Sequence, residues 1–325
     1  MRKLTYVAAF NEALRQLLQS DKRVFLMGQG VKSPWYVGKT CVGLVDEFGE
    51  ERIIDTPVSE SCVTGVATGA ALSGLRPIVE HPRLDFMYLA MDQICNHAAA
   101  WHYMFGSQAS VPLVIWGIIN RGGEQAAQHS QALQAVFMHI PGLKVVMPST
   151  PYDVKGLLVA AVKDDNPVLF VDDRWLYELE GEVPAELYEV PLGQGIIRRP
   201  GTAATVAATS FMVHEALKAG AQLEKEGLAI EVLDLRSLKP LDTELLFASV
   251  RKTGRLVVAD AAWKTCGAAA EVAALAAENL FYDLKSPVVR VTLPDVPAPA
   301  SSALEKFYYP TASSIVKAVR QVLTE

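Results

Sequence analysis

Three short segments carry residue types that could do chemistry. The first is Asp55-Thr-Pro-Val-Ser-Glu60-Ser, which runs into the small-residue stretch Gly65-Val-Ala-Thr-Gly69-Ala-Ala-Leu-Ser-Gly74. A carboxylate at a strand-to-helix junction favours the positive end of the helix, so capping alone explains it when nothing else is considered. The second is Glu80-His-Pro-Arg-Leu-Asp-Phe86-Met-Tyr-Leu-Ala-Met-Asp92-Gln93, where an aromatic side chain ordinarily belongs to the core. The third is Gly122-Gly-Glu-Gln-Ala-Ala-Gln-His129-Ser130-Gln131. His129 has no apolar stripe to join, so a core role is weak, while a turn or a metal role remains open to it. None of the three specifies a reaction by itself.

The elements that must position them read as two rounds of strand and helix. In the first round, apolar spacing predicts a helix over Thr5 to Leu18 and a buried strand from Arg23 to Gly28. Further strands are predicted at Arg52–Asp55, Arg76–Glu80, Val111–Ile119, Leu143–Met147 and Pro167–Val171, with helices at Val63–Gly74, Phe86–Met104, Ala132–Phe137 and Pro151–Lys163. Alternation with little strict period-two patterning indicates an α/β fold with a parallel sheet covered on both faces. Residues 178–192 are acidic and turn-rich and read as a linker between domains at 1–177 and 193–325. The second round has strands at Ala203–Thr209, Ile230–Asp234, Leu256–Asp260 and Val288–Thr292. Its helices fall at Met212–Glu226, Ala268–Leu280 and Ala312–Leu323.

Composition narrows the classes. At 325 residues, half of them apolar, the chain can bury two ordinary cores. The net charge of −6 and the absence of clustered Lys and Arg argue against nucleic acid as a partner. No window has the uncharged apolar length of a membrane span, and the first ten residues lack the pattern of a secretory signal. The four cysteines, Cys41, Cys62, Cys95 and Cys266, show no metal spacing and read as buried reduced thiols of a cytoplasmic protein, with a processed organellar protein as the second reading.

Segments along essentially the whole chain carry a resemblance. Arg52-Ile-Ile-Asp-Thr-Pro-Val-Ser-Glu60, Gly74-Leu-Arg-Pro, Ala126-Ala-Gln-His-Ser-Gln131, Pro141-Gly-Leu-Lys-Val-Val, Pro148-Ser-Thr-Pro-Tyr-Asp-Val-Lys-Gly156 and Asp234-Leu-Arg-Ser-Leu-Lys-Pro-Leu-Asp242 occur in one order and spacing. In this the chain resembles the beta subunits of thiamine-diphosphate-dependent 2-oxo acid dehydrogenases, of the pyruvate and branched-chain types, in the transketolase-like superfamily. The resemblance implies a pyrimidine-binding parallel-sheet domain followed by a smaller transketolase C-terminal-like α/β domain.

It also implies site residues. A glutamate matching Glu60 contacts the pyrimidine ring nitrogen of thiamine diphosphate and shifts that ring toward its imino tautomer, which generates the carbon nucleophile. An aromatic matching Phe86 stacks on the pyrimidine. A histidine matching His129 hydrogen-bonds substrate or intermediate and assists acyl transfer to lipoyl sulfur. Positions matching Leu113, Ala161, Asp164 and Asn166 form a potassium site in some relatives, through oxygen ligands that suit a hard cation. Enzymes of this kind hold the diphosphate through Mg²⁺ with a Gly-Asp-Gly signature, which is absent from this chain. The resemblance therefore implies an alpha subunit that carries Mg²⁺, in an α₂β₂ heterotetramer active on a small 2-oxo acid, with a lipoyl acyltransferase as a further partner.

The chain departs from the family pattern at several places. Gly28-Gln29-Gly30 stands where most relatives carry an acidic pair, which argues against the coupling between active sites associated with that pair. His81-Pro-Arg-Leu and Trp116-Gly-Ile-Ile-Asn120 are also unusual. Both are expected near the substrate side of the His129 loop, and they predict a donor or acceptor other than pyruvate. Asp295-Val-Pro-Ala-Pro-Ala300 lacks the aromatic or histidine of the family's closing loop, which weakens docking to an acyltransferase core. A carboligase subunit in a specialised pathway and a non-catalytic assembly subunit are the competing expectations. Retention of Glu60, Phe86 and His129 together weighs against the second.

Overall fold

The computed structural model describes residues 2–324, and the chain divides into two compact units. One holds the chain up to Asn120 together with Phe137–Leu192, and the other holds Arg121–Val136 together with the chain from Gly193 onward.

In the first unit the elements are β1 (Arg2–Thr5), α1 (Tyr6–Ser20), β2 (Val24–Gly28), α2 (Leu44–Phe48), β3 (Ile53–Asp55), α3 (Glu60–Leu72) and β4 (Arg76–His81). They continue with α4 (Trp101–Met104), β5 (Val114–Ile119), α5 (Gln134–Met138, whose first three residues group with the second unit), β6 (Lys144–Val146), α6 (Pro151–Lys163), β7 (Val168–Asp173) and β8 (Glu180–Val183). Helix α1 begins where the Thr5 hydroxyl accepts the Ala8 N–H at 3.2 Å, and it buries Phe10, Ala13, Leu14 and Leu17 at helical spacing. Six strands run parallel in the order β6-β7-β5-β4-β2-β3. Val-Ile-Trp-Gly-Ile-Ile in β5 and Val-Leu-Phe-Val in β7 are buried throughout, as a sheet covered on both faces requires.

Two expectations differ from this. The helix predicted over Phe86–Met104 is broken into a 3₁₀ turn at Leu84–Ala90, a π turn at Gln93–Ala98 and the short α4. The buried positions explain the change: Leu84, Met87 and Ala90 recur every three residues, the 3₁₀ repeat, and Ile94 and Ala98 then recur every four. Leu84 and Met87 also press on Gly117 of β5, where a Cβ would meet them at 2.6 and 2.7 Å. The stretch 178–192, read as a linker, groups with the first unit. Its β8 pairs antiparallel with β1, and the buried Lys155 ammonium donates to Pro184 O at 2.9 Å and Ala185 O at 3.3 Å. Acidic composition there reflects an exposed edge strand, not an unpaired chain.

In the second unit the elements are β9 (Ile196–Arg199), β10 (Thr205–Ala208), α7 (Phe211–Glu224), β11 (Glu231–Asp234), β12 (Ser237–Lys239) and α8 (Thr243–Thr253). They end with β13 (Leu256–Trp263), α9 (Ala268–Leu280), β14 (Val289–Leu293), α10 (Ser302–Tyr308) and α11 (Ala312–Thr324). A five-stranded sheet runs β14-β13-β10-β11-β9, with only β9 antiparallel. Val206, Val213, Ala216, Val257, Ile315 and Val319 form the centre of its core. Among the described residues no helix is long and apolar enough to cross a membrane.

Candidate functional site

Strand β2 lies between β3 and β4, so the chain leaves β2 to opposite sides for its next two strands. In open parallel sheets ligands bind outside the carboxyl ends of the strands at such a switch point. The ends of these three strands deliver Gln29 from β2, Thr56 to Glu60 from β3, and Glu80, His81 and Pro82 from β4, and together they line one cleft.

Glu60 is the first residue of α3. The N-cap Ser59 makes no capping hydrogen bond through its side chain. The Glu60 carboxylate is half-buried and makes no hydrogen bond or ion pair with any described residue. Glu60 therefore caps no backbone N–H through its side chain, although its charge stands in the first turn of α3. Asp55 holds the loop after β2 instead, since its Oδ1 accepts the Gly30 N–H at 2.7 Å.

Beside Glu60, the Glu80 side chain is 1% exposed, and neither of its carboxyl oxygens has a hydrogen-bond partner among the described residues. Burial pushes this carboxyl well above the usual range, against the opposing pull of Arg174 and Arg83. His81 is also buried, with Nε2 3.1 Å from the Thr64 hydroxyl, and burial lowers its pKa to about 4. It is a neutral ring at physiological pH. Gln29 donates to the Tyr36 hydroxyl at 3.0 Å, so an amide stands beside the two carboxyl groups of the cleft. Phe86 is half-buried on the 3₁₀ turn that packs against α3.

Glu80 and Thr56 were not singled out as site residues from the sequence, and Gln29 and His81 were marked there only as departures from the family pattern. A signal existed for the first: a carboxylate that closes the wholly apolar run of β4 is out of place in a two-sided sheet. Trp116, expected at the substrate side, is in the core. Its ring is fully buried, 4.5 Å from the Phe10 ring, and its Nε1 donates to Asp172 at 3.2 Å. Strand alternation decides this, because Trp116 sits in the middle of β5 and faces α1.

His129 lies in Arg121–Val136, the segment that groups with the second unit, so the structure places Glu60 and Phe86 in one unit and His129 in the other. Leu113, Ala161, Asp164 and Asn166 come to the turn after α6 and the starts of β5 and β7. There Leu113 O accepts Val168 N at 2.9 Å, and Asp164 O accepts Arg76 Nη1 at 3.0 Å. Asp164 Oδ1 accepts Asn166 N at 2.9 Å, and Oδ2 pairs with Lys144. Among the described residues no group of three or more His, Cys, Asp or Glu side chains is placed to hold a metal ion.

This pairing of α/β units, with an uncommitted carboxylate at the first unit's switch point, defines a transketolase-type protein. Residues 2–179 match the pyrimidine-binding domain of transketolase, and residues 193–315 match its C-terminal domain. The chain belongs to this thiamine-diphosphate-dependent family, in which its relatives are beta subunits of 2-oxo acid and acetoin dehydrogenases. It is 44% identical to the beta subunit of acetoin:2,6-dichlorophenolindophenol oxidoreductase from Cupriavidus necator, over 99% of this chain and 98% of the relative. It is 40% identical to the beta subunit of 2-oxoisovalerate dehydrogenase from Bacillus subtilis, over 99% of each chain. It is also 40% identical to the pyruvate dehydrogenase E1 beta subunit of Rickettsia felis, over 98% of each. A solved chain of a split-gene transketolase, described as an inactive beta4 tetramer, superposes with a TM-score of 0.81 at 26% identity, over 99% of this chain and 98% of that one.

Proposed function

We propose that this chain is the beta half of a thiamine-diphosphate-dependent 2-oxo acid dehydrogenase that works only with an alpha-type partner. The observation that carries the reading is the Glu60 carboxylate, uncommitted at the switch point. The cleft fits the pyrimidine end of the cofactor, since Glu60 is free to hold a ring nitrogen and the buried Glu80 oxygens lack partners. The cofactor, when bound, supplies a carbon nucleophile and an electron sink for breaking the bond next to a carbonyl.

This chain's own residues would do the rest. Glu60 shares a proton with the ring nitrogen at its carboxylate oxygen, and Phe86 offers a ring face. Neutral His81 adds no positive charge that would compete for Glu60. Pro57, Val58 and Pro82 line the cleft with apolar surface that limits water. His129 donates or accepts a proton at the substrate during acyl transfer to a lipoyl group. The diphosphate and its Mg²⁺ fall to the alpha partner in an α₂β₂ assembly, because this chain has no Gly-Asp-Gly. A potassium ion at Leu113, Ala161, Asp164 and Asn166 belongs to the same reading. Replacing potassium by choline should then lower the melting temperature of the complex, and an unchanged value removes the ion from it.

The higher identity to two acetoin oxidoreductase subunits, 44% and 42%, favours a second donor, the hydroxyketone acetoin. The test is turnover of a panel of 2-oxo acids and acetoin by this chain co-expressed with its alpha-type partner, with dichlorophenolindophenol as acceptor. Turnover that disappears when either chain is omitted supports the split site and identifies the donor. A complex that binds the cofactor yet turns over no member sinks the dehydrogenase reading.

A further inference from the structure

The loop that carries His129 is bent in a way its residues do not favour. Gly122, Gly123, Glu124 and Ala126 all have positive φ, at 69°, 62°, 63° and 60°. Two of these are not glycine, and such a conformation persists only where its surroundings hold it. The second unit provides the hold at both ends. At the far end, the buried Gln134 side chain donates its Nε2 to both oxygens of Asp260, at 2.9 and 3.2 Å. Asp260 lies within the buried run of β13, and the Thr209 hydroxyl donates to its Oδ1 at 2.8 Å. The near end of the loop begins with Arg121, whose guanidinium is buried and acts electrostatically on the same carboxylate. Asp260 thus anchors the far end by hydrogen bonds, and the Arg121 charge at the near end favours its ionised form.

A second, independent contact lies between them. The Glu124 N–H donates to Glu305 Oε1 at 3.2 Å, and the Ser302 N–H of α10 donates to Glu124 Oε1 at 3.3 Å. The loop and α10 therefore cap each other. The Tyr309 phenol, just past α10, faces Ser130 and the Gly122 backbone, one residue from His129 and at the loop's start.

We propose that Gln134, Asp260, Glu124 and Glu305 are positioning residues that hold His129 for the acyl-transfer step. This rests on the proposed role of His129 and extends it: the second unit sets the geometry of a group that acts in catalysis.

The test is a double-mutant cycle in the assembled, cofactor-loaded complex, read by turnover and by hydrogen exchange over residues 121–136. Gln134→Ala should lower kcat by roughly 10- to 100-fold with KM little changed, as expected for an ångström-scale misplacement. It should also raise exchange in the loop. In the His129→Ala background, Gln134→Ala should lower kcat no further. Glu124→Ala, at an exposed position, gives a milder version of the same cycle should the Gln134 variant fail to assemble. Equal losses in both backgrounds, or unchanged loop exchange, overturn the proposal. Full activity of His129→Ala instead overturns the role of His129, and the exchange measurement then still decides whether the clamp holds the loop.

Discussion

Gly28 and Glu80 face each other in register across β2 and β4, so closely that a Cβ on Gly28 would lie 2.7 Å from Glu80 Oε2. The glycine is what lets a buried carboxyl occupy the floor of the cleft beside Glu60. Gly28→Ala should force the Glu80 side chain aside and cost about 1–3 kcal/mol through overpacking. Calorimetry of the isolated chain would show this as a lowered melting transition, and an unchanged transition would mean the strand pair yields without strain.

Glu60→Gln should reduce turnover of the assembled complex by at least about 100-fold, the low end of what a positioned acid or base contributes. Stability should change little, because the carboxylate has no partner among the described residues to lose. Loss of folding together with activity would assign Glu60 a structural role.

Two buried groups should give opposing pH dependences. Burial raises Asp172 to about 6, although Tyr177 at 2.7 Å and Trp116 at 3.2 Å both donate to its Oδ2. The folded state therefore binds the Asp172 proton more tightly than the unfolded chain, whose value is about 3.9. Its contribution is greatest at low pH and is lost as pH rises to about 6. His81 behaves oppositely. It is held near 4 against about 6.5 unfolded, so its contribution is present above pH 6.5 and lost as pH falls toward 4. Asp172→Asn removes the first contribution and leaves the second. Denaturation between pH 4 and 6.5 should then show a steeper loss of stability on acidification than in the parent, and a parallel profile would contradict the assignment.

Lys155 is fully buried and pairs with Glu12 Oε1 at 2.5 Å. Lys155→Met should destabilise by roughly 3 kcal/mol, because it leaves Glu12 with Arg2 as its remaining ion pair and two backbone carbonyls without their donor. Adding Glu12→Leu should recover part of that loss. Urea unfolding of the two variants measures both, and a double variant no better than the single one would place the cost in the carbonyls alone.

Much of the fold was legible because its signals are local. Pro151–Lys163 and Ala268–Leu280 were read to the residue, since a proline in the first turn or an unbroken alanine-rich stretch marks a helix without reference to anything distant. Helix α8 was passed over although it carries the same kind of signal: Asp242 accepts the Leu245 N–H at 3.0 Å and Gly254 closes the helix at φ 72°. Strands β1 and β8 could not be seen, because each is defined by pairing with the other across some 180 residues.

By itself the sequence determined the α/β class and the two rounds of alternation, since these depend on residue type, period and order along the chain, and its resemblance to a family pointed to Glu60, Phe86 and His129. Only the tertiary structure decided that Glu80, His81 and Gln29 join Glu60, because that depends on β2 standing between β3 and β4. It also decided that Trp116 faces the core and that the His129 loop belongs to the second unit, held there by Asp260. The physical reason is the same in each case. Propensity and periodicity act over a few residues, whereas a cleft, a buried face and a clamped loop are made by groups that only the packing of distant segments brings within reach.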